Sequence, residues 1–277
     1  MKHEVHLDHT TSSDGTRLAL DVVGSGPPLV LVGGAFSFRR WKGFQRLAQL
    51  LADQHTVIAY DRRGRGDSIT GQPITVPAEI DDLHSVINRA GADLAHIFGM
   101  SSGGVLALRA AAAGVPIRSM SVYQPPFAVA GNPPPDDFGS ELTRLVDAGK
   151  RSTATHYFMT KGMGAPAPAV ALMHVAPFWK DLKAVAHTLP ADHAVMGDTL
   201  SGRPLPAEPW HRIDIPVLVI DGSKSAAPVA AAADELAEHL PVATRVTLPG
   251  QSHNVSMSAL AAVIADFAGD VDQRTRI

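Results

Sequence analysis

Residues 94–98 (LAHIF) form a short apolar run suited to a buried strand, and 105–113 is apolar, alanine-rich and of helical length. Between them lies Gly99-Met100-Ser101-Ser102-Gly103-Gly104. A strand that reverses this tightly into a helix forces the central residue into a strained conformation and lifts its side chain clear of the sheet. The residues two before and two after approach each other there, so Gly99 and Gly103 have to be small. The helix then aims free N–H groups at whatever Ser101 holds, which favours negative charge. Gly and Ser are common, so G-x-S-x-G alone says little. Its place between a strand and a helix makes it specific. The plainer alternative is a glycine-rich helix start with a capping serine.

The rest of the chain fits such a turn. Apolar runs at 28–32, 56–60, 118–123, 216–220 and 244–248 are rich in Val, Ile and Leu and bounded by Gly, Pro or Asp. Such runs suit strands buried on both faces. Amphipathic stretches at 44–52, 78–90, 228–240 and 257–268 alternate with them, which implies βαβ crossovers and a mostly parallel sheet. Residues 5–8 and 16–23 flank Ser13-Asp14-Gly15, a hairpin signal, so an antiparallel edge precedes the parallel core. The alternation breaks over 124–210, where 12 of the 21 prolines and four of the eight Met fall. Helical patterns occur there at 137–148 and 167–174, without a clear strand. The expected division is a core of 1–123 and 211–277 with a helical lid or cap over 124–210.

Composition excludes several classes. Lys and Arg total 24 against 27 Asp and Glu, a net charge of −3, and hydrophobic residues make up 45%. Disorder needs fewer apolar residues and more net charge, and nucleic-acid binding needs a basic surplus. There are no cysteines, which excludes disulfides, thiolate catalysis and Cys-ligated zinc. No apolar run is long enough for a membrane span, and the polar first residues carry no signal-peptide core. These observations predict a cytoplasmic protein with no nucleic-acid or membrane partner, and they leave room for a homodimer.

The serine turn and its setting resemble the α/β-hydrolase superfamily over nearly the whole chain. Val32-Gly33-Gly34-Ala35-Phe36 stands where that family often has His-Gly-x. Asp61-Arg62-Arg63-Gly64-Arg65-Gly66-Asp67-Ser68 is similar to its D-x-R-G-x-G-x-S turn, so Arg65-Gly66-Asp67 is read as structural. The resemblance implies an α/β-hydrolase fold: a mostly parallel central sheet, helices on both faces and a helical cap. It also implies Ser101 as nucleophile, with the N–H groups of Ser102 and Ala35 as the oxyanion hole. Phe36 would lean over the pocket.

A serine needs a base within hydrogen-bond reach. Seven histidines follow Ser101, and only His253 lies between a predicted strand (244–248) and the last helix. Its context, Gly250-Gln251-Ser252-His253-Asn254, resembles the family's G-x-x-H loop. His156, His174, His187 and His193 read as surface or packing residues. The carboxylate that should orient the base is missing. The family's acid turn after the lid reads Gly222-Ser223-Lys224-Ser225, with Ser225 at the acid position. The other family position lies in a Y-E-P-P-F pattern, which here is Tyr123-Gln124-Pro125-Pro126-Phe127. Three readings stand: Gln124 orients the base through its amide oxygen, Asp221 turns toward His253, or Gln124 replaces a natural Glu. Lys224 near the site would disfavour a protonated His253.

No H-E-x-x-H, no carboxylate–His cluster and no phosphate-binding glycine loop occurs, so no metal or cofactor is implied. Ser101 argues against the epoxide hydrolases and dehalogenases of this fold, which place Asp there. Met159, Met163, Met173, Phe178, Trp179 and Trp210 give the cap an apolar character, and Trp179 is a candidate substrate contact. The leading expectation is a serine hydrolase cleaving a small to medium apolar ester, lactone or thioester through an acyl-enzyme. The alternatives are a non-hydrolytic enzyme of the same fold, such as a cyclase or lyase, and a catalytically silent binding protein.

Overall fold

The computed structural model describes residues 2–91, 93–128 and 133–275. Eight strands form one sheet: β1 (Val5–Thr11), β2 (Arg17–Val23), β3 (Pro28–Val32), β4 (Thr56–Tyr60), β5 (Ala95–Met100), β6 (Ile117–Tyr123), β7 (Val217–Gly222) and β8 (Ala243–Leu248). Their spatial order is β1-β2-β4-β3-β5-β6-β7-β8. The β1–β2 hairpin runs antiparallel and β2 pairs antiparallel with β4. All later neighbours are parallel. The hairpin turn forms as its residues dictate: Asp14 accepts from the Thr16 N–H at 2.9 Å, and Gly15 takes a φ of 86°. The α/β class, with its antiparallel edge and parallel core, is therefore the one that the apolar runs predict.

Side chains alternate between the two faces of the strands. Val30, Val32, Ile97, Val122, Val217 and Val219 enter one core. Leu29, Leu31, Phe98, Tyr123, Leu218 and Ile220 enter the other. Helices α1 (Lys42–Leu51), α2 (Val76–Arg89) and α3 (Ser102–Ala112) follow β3, β4 and β5 in turn. Phe44, Leu47 and Leu51 of α1 cover one face, and Leu83, Val86 and Ile87 of α2 cover the other.

Between β6 and β7 the described residues form helices and loops without a strand. The helices are α4 (Phe138–Asp147), α5 (Arg151–Tyr157), α6 (Ala167–Met173), α7 (Trp179–Val185) and α8 (Leu189–Met196), with a π-helical turn at Phe158–Gly162. The sequence pattern picks out only α4 and α6. Seven or eight residues show little periodicity, and prolines that read as loop punctuation are helix starts. Pro168 and Pro190 lie in the first turns of α6 and α8, where a missing N–H costs nothing. The interior of this insertion is continuous with the sheet: Phe138, Leu142, Leu189, Val195 and Trp210 share one core with Val122 and Val219. After β7 come α9 (Ala227–His239) and, past β8, α10 (Met257–Thr275), which runs beyond its expected end at 268. No helix among the described residues is long and apolar enough to cross a membrane.

The turn after β4 carries three buried arginines, each held by carboxylates. Arg62 meets Glu79 at 2.5 and 2.6 Å, and Arg63 meets Asp82 at 2.6 Å twice. Arg65 is 1% exposed and meets Asp192 at 2.6 Å. Asp67 pairs with Arg39 at 2.6 Å. Within the Arg65-Gly66-Asp67 tripeptide the arginine is thus built into the fold, while Gly66 and Asp67 are exposed.

Helix α3 packs tightly against the end of β3. A Cβ on Gly103 would stand 2.3 Å from the Val32 carbonyl oxygen. Gly103→Ala is therefore expected to lower the unfolding free energy by about 1–3 kcal/mol. Gly269→Ala lies inside α10, where a Cβ meets nothing within 4 Å, and should raise it by up to about 1 kcal/mol. Urea unfolding of the pair checks this, and equal shifts would contradict the packing described.

Candidate active site

The carboxyl ends of the parallel strands meet at one edge of the sheet, where open α/β sheets bind ligands. Ser101 follows β5 and has φ 55° and ψ −130°, a conformation that costs a non-glycine residue. Its N–H donates to the Tyr123 carbonyl at 2.9 Å, and its own carbonyl accepts from Gly104 N at 2.8 Å. Three glycines permit this turn. A Cβ on Gly99 would stand 2.6 Å from the Gly104 Cα, and one on Gly34 would stand 2.9 Å from the Ser101 Cβ. Gly99 and Gly103 approach each other as the motif predicts, a Cβ on Gly99 standing 2.8 Å from the Gly103 carbonyl oxygen, and Gly103 also presses on β3 and its following loop. None of the described residues hydrogen-bonds the Ser101 hydroxyl.

The loop of Gly33 to Phe36 lies beside this turn. A Cβ on Gly33 would lie 2.2 Å from the Ser37 Oγ. That hydroxyl donates to the Gly34 carbonyl at 2.6 Å. The N–H groups of Ala35 and Ser102 have no acceptor among the described residues. For Ser102 this follows from its place in the first turn of α3, whose N–H groups lack intrahelical partners. Phe36, at φ 64°, meets Phe158 of the insertion edge-on at 5.5 Å.

His253 and Gln124 are joined directly, Nδ1 to Oε1 at 2.9 Å. A chain of donors fixes which atoms face each other. The Tyr123 hydroxyl donates to the Ser252 carbonyl at 2.5 Å. Burial and the Asp221 carboxylate push the Tyr123 phenol up to about 12, so it keeps its proton. With that proton engaged, the phenol oxygen can only accept, and it does so from Gln124 Nε2 at 3.2 Å. The second Gln124 N–H goes to Ser225 Oγ at 2.5 Å. Both donors being committed, the amide oxygen is left facing the ring. His253 must then donate from Nδ1, and its Nε2 carries the free lone pair. Although His253 is an exposed residue, the loss of water around its ring lowers its pKa below 6.5.

The two positions where an acid was expected, Gln124 and Ser225, thus bond to each other. Gln124 stands at φ 46° with its N–H still paired to Ile220 at 3.0 Å, which aims its side chain across the strand ends. The His253 loop rests on β7: a Cβ on Gly222 would lie 2.3 Å from the Gln251 carbonyl oxygen, and the exposed Lys224 donates its N–H to that oxygen at 2.8 Å.

Asp221 does not turn toward His253. It is bound by Arg245 at 2.9 Å. Burial alone would raise its pKa, but hydrogen bonds from Arg245 and Thr247 outweigh that and hold it low. Trp179 is also placed differently from expectation. It is 3% exposed, donates to Ser152 at 3.0 Å and stacks on His174 at 4.1 Å, so its contacts are internal to the insertion. His193 packs on Phe138, His187 binds the Gly64 carbonyl at 2.7 Å, and His156 pairs with His174 at 3.3 Å. Among the described residues no group of three or more His, Asp or Glu could hold a metal.

Sequence reasoning missed Asp192 of α8, which is 0% exposed. It accepts from Ser102 Oγ at 2.8 Å, Arg62 at 2.8 Å and Arg65 at 2.6 Å. Burial would raise its pKa, but the charges of Arg65 and Arg62 outweigh it and keep Asp192 ionised. An aspartate within the apolar run Leu-Pro-Ala-Asp-His-Ala-Val-Met was the available signal, since a buried acid requires a partner.

The sequence pattern described as "Alpha/beta hydrolase family" matches residues 29–266. The crystal structure of an alpha/beta hydrolase from Sphaerobacter thermophilus is 48% identical, with a TM-score of 0.87 over 94% of this chain and 100% of that one. The crystal structure of the esterase RhEst1 from Rhodococcus sp. is 20% identical, with a TM-score of 0.66 over 96% and 98% of the two chains, a likeness of fold. The uncharacterized hydrolase YraK of Bacillus subtilis is 35% identical over 103 residues, 36% of this chain and 37% of that protein. That match spans little more than a third of either protein. With the family pattern covering most of the sequence and a half-identical structure superposing along nearly all of it, the chain belongs to the alpha/beta hydrolase family.

Proposed function

We propose that the protein is a serine hydrolase that cleaves a small to medium apolar ester, lactone or thioester through an acyl-enzyme on Ser101. The observation that carries this reading is the bond from His253 Nδ1 to the Gln124 amide oxygen. It leaves His253 Nε2 as the proton acceptor that a serine nucleophile requires. Contact between base and nucleophile is often loose in an empty site and tightens around substrate. Ser101 Oγ would attack the carbonyl carbon while its proton passes to Nε2. The N–H groups of Ala35 and Ser102, both without acceptors, would receive the oxyanion. His253 would return the proton to the leaving alkoxide or thiolate, and water would then release the acid by the same steps. Phe36 and Phe158, in edge-on contact, supply an apolar wall. A fold shared with an esterase is consistent with this chemistry.

An amide keeps the tautomer but cannot offset the charge of the imidazolium that forms. In serine proteases, changing the acid to its amide costs about 10⁴ in rate, largely through the wrong tautomer. Here the tautomer is held, so the expected deficit is smaller. The neutral acid positions also favour a second reading, a non-hydrolytic reaction in the same pocket. Under that reading Ser101→Ala would retain turnover of the natural substrate, whereas under ours it would abolish it.

Intact-protein mass after incubation with a fluorophosphonate tests the nucleophile. One adduct on the wild type and none on Ser101→Ala is expected, and equal uptake by both would contradict the assignment. Gln124→Glu should raise kcat for an activated ester by about tenfold or more, because a carboxylate stabilises the imidazolium. Burial disfavours the protonated ring, so the acid limb of kcat/KM for the wild type should fall below pH 6.5. A carboxylate beside the ring favours the cation, so in Gln124→Glu that limb should move to higher pH. A pH profile of both proteins checks the direction, and a shift to lower pH would contradict it.

A further inference from the structure

We propose that Asp192, a residue of the helical insertion, is the positioning residue that assembles the oxyanion hole. The inference rests on the reading of Ala35 and Ser102 as its donors. Asp192 lies in α8, distant in sequence from the strand ends, yet both of its oxygens reach them. Oδ1 accepts from Ser102 Oγ at 2.8 Å and from Arg62 Nη1 at 2.8 Å. Oδ2 accepts from Arg65 Nη2 at 2.6 Å. The first bond locks the side chain of the very residue whose N–H is one donor.

The route to the second donor runs through Arg65. Its Nη1 donates to the Gly34 carbonyl at 2.7 Å and to the Ser37 carbonyl at 3.2 Å. Ser37 adds two more bonds to the Gly34 oxygen, from Oγ at 2.6 Å and from N at 3.2 Å. Gly34 C=O and Ala35 N–H belong to one planar trans peptide and point in opposite directions. Pinning the oxygen therefore aims the N–H. Arg62 braces the preceding peptide through the Gly33 carbonyl at 3.2 Å. One carboxylate thus sets both donors, one through a hydroxyl and the other through a guanidinium.

The sheet alone does not supply this. Arg62 also has Glu79 beside it, but the ion pair of Arg65 is with Asp192. Its Nε likewise goes to the insertion, to Thr188 Oγ1 at 3.0 Å. Withdrawing α8 would remove the ion-pair partner of Arg65 and with it the anchor of the guanidinium that bonds the Gly34 carbonyl. The hole is complete only while the insertion is docked, which couples cover and catalysis through one side chain.

The test is Asp192→Asn, which keeps shape but replaces one acceptor oxygen with a donor facing Arg65. Loss of an oxyanion donor costs about 10²–10³ in kcat, and a fall toward that range is expected, with KM changed by less than about threefold. A general loss of folded protein would lower kcat equally for every substrate. The ratio of kcat/KM for an ester to that for its thiono analogue separates the two cases, because only a misaligned hole changes how oxygen and sulfur are distinguished. That ratio should fall several-fold. Hydrogen exchange gives a readout that needs no turnover: residues 33–38 and 101–104 should exchange faster while α10 stays as protected as in the wild type. If Asp192→Asn does not fold, Ser102→Ala removes one bond to Asp192 and leaves the ion pairs, and should shift the ratio and the exchange of 101–104 in the same direction.

An unchanged ester-to-thionoester ratio with unchanged or uniformly faster exchange would overturn the proposal. Should the wild type fail to label at Ser101, the hydrolase reading falls, and the exchange pattern alone decides the positioning role.

Discussion

A serine in a left-handed turn is held at the end of β5 because every neighbouring backbone crowds it there. Its φ of 55° is a local cost that the surroundings over-determine. The β5–β6 register delivers the Ser101 N–H to the Tyr123 carbonyl, and the next residue along that strand is Gln124. The start of α3 presses on the Val32 and Gly33 backbone at Gly103, which sets the loop of Ala35 beside the serine. Ser101, the Gln124 amide and the Ala35 loop therefore take their relative positions from one packed turn. His253 joins them through a separate contact, the seating of its loop on Gly222.

Charge in this molecule is buried beside the site and kept out of its hydrogen-bond chain. Arg39, Arg62, Arg63 and Arg65 are each paired with carboxylates, which is what makes buried guanidinium tolerable. The path from Ser252 through Tyr123 and Gln124 to His253 contains only neutral donors and acceptors. Each member has one proton assignment, because the Tyr123 proton is committed to a carbonyl that cannot donate in return. A neutral group can in this way set a tautomer as firmly as a carboxylate, while leaving the charged intermediate less stabilised.

Much of this was legible in the sequence. The alternation of apolar runs and amphipathic stretches carried the sheet, its antiparallel edge and most helices, since a strand buried on both faces must be continuously apolar. The serine turn was legible because its glycines have a steric cause. The acid positions were legible as gaps, but the choice between Gln124 and Asp221 was not, because it depends on Arg245 occupying Asp221. Trp179 showed why an apolar side chain between β6 and β7 is ambiguous: its burial follows from how short helices pack, which no local pattern encodes. Asp192 was hidden for the same reason, its partners lying far away in the chain.

The central claim is that the Gln124 amide holds His253 with its proton on Nδ1 and its lone pair on Nε2. Nitrogen-15 NMR of protein labelled in histidine, with His253 assigned by comparison with His253→Gln, reads that state directly. At neutral pH the expected result is a neutral ring with a protonated Nδ1 and an unprotonated Nε2. A proton on Nε2, or a charged ring at that pH, would contradict the account.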